Sequence, residues 1–205
     1  TYVPPIPALM QALRVAGRLD TGSALSGADA EAVVSEAGRF AAEVLAPLYR
    51  VGDAKGVTLA DGAVTTAPGW REAYRKWCDA GWSSVNGPEA FGGQELPMVM
   101  SVACTELWNA ANLAFAVGPL LTNGAIEAIA AHATDDLKAT YLPNMIAGTW
   151  TGTMNLTEPQ SGSDLSELRC KAVRAPDGTY RISGTKIYIT YGEHDCSGNI
   201  IHLVL

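Results

Sequence analysis

Positive charge is scarce in this chain and nowhere clustered: 14 lysines and arginines against 21 acidic residues leave a formal charge of −7 over 205 residues. Phosphate backbones are gripped by concentrated basic side chains, so a nucleic-acid partner is disfavoured. Cysteine is sparse too. Cys78, Cys104, Cys170 and Cys196 are widely separated, with no Cys-x-x-Cys and no histidine pair at ligand spacing, so no metal site is expected. They read as reduced thiols of a cytoplasmic protein. Cys196, near His194, Asp195 and His202, lacks the signature of a thiol nucleophile or a zinc site. No uninterrupted apolar run reaches membrane-spanning length, and the start, Thr1-Tyr2-Val3-Pro4-Pro5, is not a basic-then-apolar signal sequence. Repeats and low-complexity tracts are missing as well. What remains is core-forming material: 48% hydrophobic content suits one large or two small globular domains.

Up to about residue 150 the apolar spacing is helical. Ser26 with Asp29 resembles a capping box, after which Val33, Ala37, Phe40 and Val44 recur at helical spacing until Pro47. Residues 51–69, rich in Gly, Ala and Thr, read as a loop. Trp70, Tyr74 and Trp77 then share one helical face, with Gly81 as a C-terminal cap. Pro97 opens a helix expected to run to about Leu113, and Gly118-Pro119 is expected to break the chain before a helix marked by Leu121, Ala125, Ile129 and His132. Thr134, Asp135 and Asp136 cap the next one. From about Thr151 the period becomes two. Residues 167–174 and 179–183 flank the turn Pro176-Asp177-Gly178 and predict a hairpin; residues 186–190 predict a third strand, and the apolar run 199–205 a fourth. The fold class expected is α+β: an N-terminal all-α helical bundle, residues 1–150, followed by an incomplete antiparallel β-domain, residues 151–205. A strand as apolar as the last one has to be covered, so more chain or a partner is expected to complete the sheet.

Two stretches carry chemistry. Leu156-Thr157-Glu158-Pro159-Gln160-Ser161-Gly162-Ser163-Asp164 strings hydroxyls, a glycine and carboxylates into a binding loop. In Gly184-Thr185-Lys186-Ile187-Tyr188-Ile189-Thr190, strand alternation puts Lys186, Tyr188 and Thr190 on one face, an aromatic beside a hydroxyl for a flat ligand with a polar edge. Gly162 allows close backbone approach to an anion and Ser163 can donate to it. Glu158 and Asp164 read as structural carboxylates rather than an acid/base pair.

Together these stretches resemble the acyl-CoA dehydrogenase family of flavoenzymes, whose middle domain carries Leu-Thr-Glu-Pro and Gly-Ser-Asp followed by Gly-x-Lys-x-Trp-Ile-Thr. Pro88-Glu89-Ala90-Phe91-Gly92-Gly93 and Tyr141-Leu142-Pro143 with Gly148 extend the resemblance over roughly residues 80–195. The resemblance implies FAD as cofactor. The Leu156 backbone and Thr157 hydroxyl would meet the pyrimidine end, Gly162 and Ser163 the pyrophosphate, Tyr188 a ring face, and Ile189 and Thr190 the region of the central nitrogen. Ser163 is also a candidate substrate contact. Tyr188 replaces the usual tryptophan, Tyr191 replaces the asparagine common after Ile-Thr, and Met154 stands where some relatives carry tyrosine.

The same resemblance implies α,β-dehydrogenation of an acyl-CoA, an electron-transfer flavoprotein as acceptor, a homo-oligomer, and a catalytic glutamate in a C-terminal helical domain beyond Leu205. No residue of this chain is assigned as the base. Glu193-His194-Asp195 followed by Asn199-Ile200-Ile201-His202 resembles a branch of larger members that includes methylthiopropanoyl-CoA dehydrogenases. The alternatives are an acyl-CoA oxidase or flavin monooxygenase of the same fold, and a non-catalytic helical interaction module.

Overall fold

The computed structural model describes residues 2–15 and 25–205. Its helical part contains α1 (Ile6–Val15), α2 (Gly27–Phe40), α3 (Ala46–Lys55), α4 (Trp70–Asp79), α5 (Met98–His132) and α6 (Asp135–Ile146). The Ser26 cap forms as expected: its hydroxyl accepts from Asp29 N at 3.2 Å and donates to the Asp29 carboxylate at 2.6 Å. The chain does not stop at Pro47. A wide helical turn, Ala41–Leu45, joins α2 to α3, and Pro47, just after it in the first turn of α3, is carried without ending the helix. Part of the expected loop is therefore helix, and another part is a small antiparallel hairpin, β1 (Thr58–Ala60) with β2 (Ala63–Thr65).

Helix α5 is the axis of the molecule and packs against α1, α2, α3, α6 and the first strand of the β part. By length and composition it could cross a membrane, contrary to the sequence expectation, but here its apolar faces bury Leu107, Trp108, Phe115 and Ile126 in two cores. Gly118-Pro119 does not end it. The backbone departs from helical geometry instead at Asn112, with φ −160° and ψ 87°. The Asn112 amide donates to Leu45 O at 3.1 Å, and its Oδ1 accepts from Phe115 N at 3.2 Å, capping the second half of the helix.

The larger core is aromatic. Trp77 is 1% exposed and meets Phe40, Trp108 and Phe115 edge-on at centroid distances of 5.7, 4.2 and 5.9 Å, the favoured arrangement for ring quadrupoles. The predicted stripe of Trp70, Tyr74 and Trp77 is core, all three buried.

In the β part, β4 (Lys171–Arg174) and β5 (Tyr180–Ser183) form the expected hairpin, closed by Ala175 N donating to Thr179 O at 2.8 Å. β3 (Trp150–Asn155) and β6 (Asn199–Val204) correct the antiparallel expectation, because they pair in parallel over their whole length, Trp150 opposite Asn199 and Asn155 opposite Val204. Parallel pairing requires a long crossover, and the segment between them, which holds both chemical motifs, supplies it. The apolar β6 is also less bare than expected: Ile201 and Leu203 pack on the second core of Ala125, Ile126, Leu142, Met145 and Ile146. Gly152 makes that approach possible, since a Cβ there would lie 2.5 Å from the Ala125 methyl.

Candidate functional site

The binding loop leaves β3 at Asn155 and is organised around one buried carboxylate. Glu158 and Ser161 exchange backbone hydrogen bonds of 2.7 and 3.0 Å, and Ser161 Oγ donates to Asp164 O at 2.5 Å. The Asp164 carboxylate accepts from Ser166 N and Oγ at 3.0 and 2.7 Å, capping the next turn. The Glu158 side chain, 3% exposed, accepts four bonds: from Gln160 Nε2 at 2.6 Å and Arg169 N at 2.7 Å on Oε2, and from Cys170 N and Lys186 Nζ at 2.9 Å each on Oε1. Burial alone would raise its pKa, but these donors outweigh it and hold the carboxyl well below the usual carboxylate range. A carboxylate with both oxygens engaged by four donors suits a structural role better than that of a general base.

Lys186, whose side chain is 8% exposed, joins the two motifs. Its ammonium also donates to Leu156 O at 2.8 Å, and Ile187 N donates to Thr157 O at 2.9 Å. The second motif is thereby stitched alongside the first, but it is not the strand predicted for residues 186–190. Lys186 is pulled inward, Tyr188 turns outward at φ +59° with 89% of its surface exposed, and the shared face expected for Lys186, Tyr188 and Thr190 does not form. The buried ion pair, a contact across 28 positions of sequence, overrides the alternation.

The candidate cofactor residues lie along this seam. Leu156 and Thr157 are half-buried with their carbonyls engaged, while Gly162 and Ser163 are exposed at the loop tip. Gly162 does not have a positive φ, and a Cβ there would meet only Thr157 Cγ2, at 3.5 Å. Among the described residues nothing demands glycine at that tip, whereas an approaching anion would. Ile189 is half-buried. Thr190 is exposed, and its carbonyl accepts from Thr153 Oγ1 of β3 at 2.7 Å.

By sequence, Glu193-His194-Asp195 reads as a polar loop at a strand end. Residues 191–197 are instead a strap across the helical part. Tyr191 Oη donates to Ala114 O at 2.8 Å and accepts from Trp70 Nε1 at 3.1 Å; burial raises its pKa to about 12, so it remains a donor. Asp195 accepts from Thr66 N and Oγ1 at 3.1 and 2.6 Å. The burial that would raise the Asp195 pKa is outweighed by those bonds. His194 Nδ1 accepts from Cys196 N at 3.1 Å, which leaves the ring proton on Nε2 to meet Thr151 Oγ1 at 3.0 Å, and burial lowers the His194 pKa. The His194 and Asp195 side chains are engaged in anchoring the strap, whereas Glu193 is exposed. Burial pushes the thiols of Cys104 to about 12 and Cys196 to about 11, the environment of structural thiols rather than of activated nucleophiles. Among the described residues, no group of three or more His, Cys, Asp or Glu side chains could hold a metal ion. The signal that could have flagged the strap was Tyr191 itself, an aromatic where the resembled motif carries asparagine.

Comparison with known proteins decides the family. The profile described as acyl-CoA dehydrogenase, N-terminal domain, matches residues 27–149. This chain belongs to the acyl-CoA dehydrogenase family. Among its relatives, the 3-methylmercaptopropionyl-CoA dehydrogenase of Ruegeria pomeroyi is 48% identical across all of this chain, and the chain spans 36% of that relative's length. The butyryl-CoA dehydrogenase of Megasphaera elsdenii superposes with a TM-score of 0.71 at 24% identity, covering 85% of this chain and 43% of that one. An acyl-CoA dehydrogenase from Bacillus anthracis, solved in complex with FAD, superposes with a TM-score of 0.68 at 21% identity over 83% of this chain and 27% of its own. At those identities the two structures establish the acyl-CoA dehydrogenase fold.

Proposed function

We propose that this chain is the N-terminal part of an FAD-dependent acyl-CoA dehydrogenase that introduces an α,β double bond into an acyl-CoA thioester, its helical and β parts dividing near residue 150. The carrying observation is the seam at Glu158 and Lys186, which brings the loop at residues 156–164 against residues 186–190. The seam presents what a flavin dinucleotide requires: an unobstructed glycine–serine tip for the pyrophosphate, the Thr157 and Thr190 hydroxyls for polar ring edges, and the outward Tyr188 ring for a flat face. FAD, when bound, supplies the acceptor for the β-hydrogen of the acyl group as hydride. Ser163 and the Gly162 backbone would hold the anionic oxygens of the cofactor, Thr157 and Leu156 would hold its pyrimidine end, and Thr190, beside Ile189, would offer its hydroxyl to the redox-active part of the ring. Glu158 keeps the two motifs in register without touching the reacting atoms. The α-proton would go to a carboxylate, for which no residue of this chain is assigned.

The reading extends to an electron-transfer flavoprotein as acceptor, a homo-oligomeric assembly and, given four free cysteines, a reducing cytoplasmic location. The Ruegeria relative makes 3-methylmercaptopropionyl-CoA the first substrate to try. The test is absorbance of the full-length protein and its anaerobic bleaching by a panel of acyl-CoAs that includes this thioether. A colourless protein, or a flavin that no acyl-CoA bleaches, would overturn the proposal; rapid oxygen consumption without an acceptor would transfer it to an oxidase.

A further inference from the structure

Thr190 is held from both sides by contacts that the flavin reading does not explain. On one side its carbonyl takes the Thr153 hydroxyl of β3. On the other, the chain turns tightly, Gly192 N donating to Ile189 O at 3.3 Å, and Tyr191 enters a receptor built into the helical part with φ at +52°. That conformation is strained for a bulky residue, and the surroundings have to hold it there. Three features make the receptor. Gly118 has no side chain where the ring lies: a Cβ would be 2.7 Å from Tyr191 Cε1. Pro119 has no N–H for the Phe115 carbonyl, which faces the phenol at 3.4 Å while Ala114 O accepts its proton at 2.8 Å. Trp70 of α4 donates its indole N–H to the same oxygen at 3.1 Å. One hydroxyl thus fastens α4, α5 and the residue following Thr190. Neither the phenol nor its partners lie among the residues assigned to cofactor or substrate.

We propose that Tyr191 is a positioning residue: its phenol fixes where the Thr190 hydroxyl stands relative to the helical part, and so tunes flavin reduction without touching the flavin. This rests on the flavin role read for Thr190. Phenylalanine at 191 would keep the ring in the Gly118 notch and remove both hydrogen bonds, leaving the Trp70 N–H without its acceptor.

The experiment uses the full-length protein with its flavin and four variants: Tyr191→Phe, Gly118→Ala, which displaces the ring but keeps the hydroxyl, Thr190→Val, and Thr190→Val with Tyr191→Phe. The expected result is that Tyr191→Phe and Gly118→Ala slow flavin reduction about tenfold while KM and FAD occupancy stay within about twofold, and shift the flavin absorption band in the direction that Thr190→Val shifts it. The double variant should be no slower than Thr190→Val alone, since two residues acting through one contact are not additive. Lower melting temperatures with unchanged reduction rate and unchanged band, or additive effects in the double variant, would overturn the positioning role and leave Tyr191 a structural tie. A wild-type protein without flavin would instead overturn the function on which the inference rests.

Discussion

The helical part and the crossover between β3 and β6 are stabilised in opposite ways. In the helical part an apolar interior does the holding: Trp77, Leu107, Phe115, Leu45 and Met100 are fully buried, and the surface ion pairs there, such as Lys76 with Glu72, are exposed and contribute little. In the crossover almost nothing apolar is buried. Its hairpin is exposed on both strands, and its shape comes from Glu158, Lys186, Asp164 and the strap at residues 191–197. Burial tolerates small shifts of position, whereas a hydrogen-bonded seam specifies atoms. A scaffold can rely on the first, and a ligand loop with hydroxyls at set places needs the second.

The largest expected effect on folding lies in the helical part. Trp77→Ala leaves a cavity among Phe40, Trp108 and Phe115 and should destabilise the protein by about 3–5 kcal/mol in chemical denaturation. A change under about 1 kcal/mol would mean the aromatic cluster is not what holds these helices. Glu158→Gln should do the reverse. It removes the charge facing Lys186 and one acceptor valence needed by the Arg169 and Cys170 amides, so residues 156–164 and 186–190 should separate. We expect most of the flavin to be lost and turnover to fall about 10²-fold, with less unfolding than Trp77→Ala causes. Normal flavin content in a folded Gln variant would show that the seam does not organise the site.

Gly162→Val sharpens the comparison further, because the tip has room for a side chain within the chain itself. Folding stability should change by no more than about 0.5 kcal/mol, while FAD occupancy falls because the branched side chain occupies the anion's approach. Unchanged occupancy would make Gly162 a plain surface turn.

How much of this was legible in sequence follows the same divide. Trp70, Tyr74 and Trp77, the Ser26 cap and the hairpin around Pro176-Asp177-Gly178 could be read because local periodicity and turn chemistry decide them. The helix breaks at Asn112 and not at Gly118-Pro119 because the Asn112 side chain bonds Leu45 O, sixty-seven positions away, and the Phe115 amide, while Gly118 leaves the notch that Tyr191 fills. The strand at residues 186–190 failed for a similar reason, an ion pair with Glu158 that alternation cannot reveal. The parallel β3–β6 pairing depends on the path of the whole crossover. The motifs themselves were legible; their mutual placement was not.

Within the strap, pH offers a smaller lever. The folded-state pKa of His194 is lowered by burial from 6.5, so as pH falls the unfolded chain takes up its proton first. Its contribution is therefore fully present above about pH 6.5 and is lost as pH falls towards the folded pKa, at no more than about 1.4 kcal/mol per pH unit. Denaturation at pH 7.5 and 5.5 should show wild type losing more stability than His194→Gln. Equal losses would place the ring in water rather than against Thr151.

The smallest effect is expected in the β4–β5 hairpin. Val173, Tyr180 and Ile182 are large apolar side chains at 59 to 61% exposure, with Ala172 opposite Ile182 and Arg174 opposite Tyr180. Removing apolar surface costs stability only in proportion to the area it had withdrawn from water, and these side chains have withdrawn little. A two-stranded ribbon of this kind is also marginal by itself, held by its turn and ladder more than by packing. Ile182→Thr keeps β-branching and strand propensity while deleting apolar area, so in the 205-residue chain it should change stability by no more than about 0.5 kcal/mol. Against the 3–5 kcal/mol expected for Trp77→Ala, that gap measures how unequally the two regions depend on burial. A loss above about 1 kcal/mol for Ile182→Thr would show the hairpin packed against something in solution, and the contrast between a buried scaffold and a hydrogen-bonded crossover would have to be redrawn.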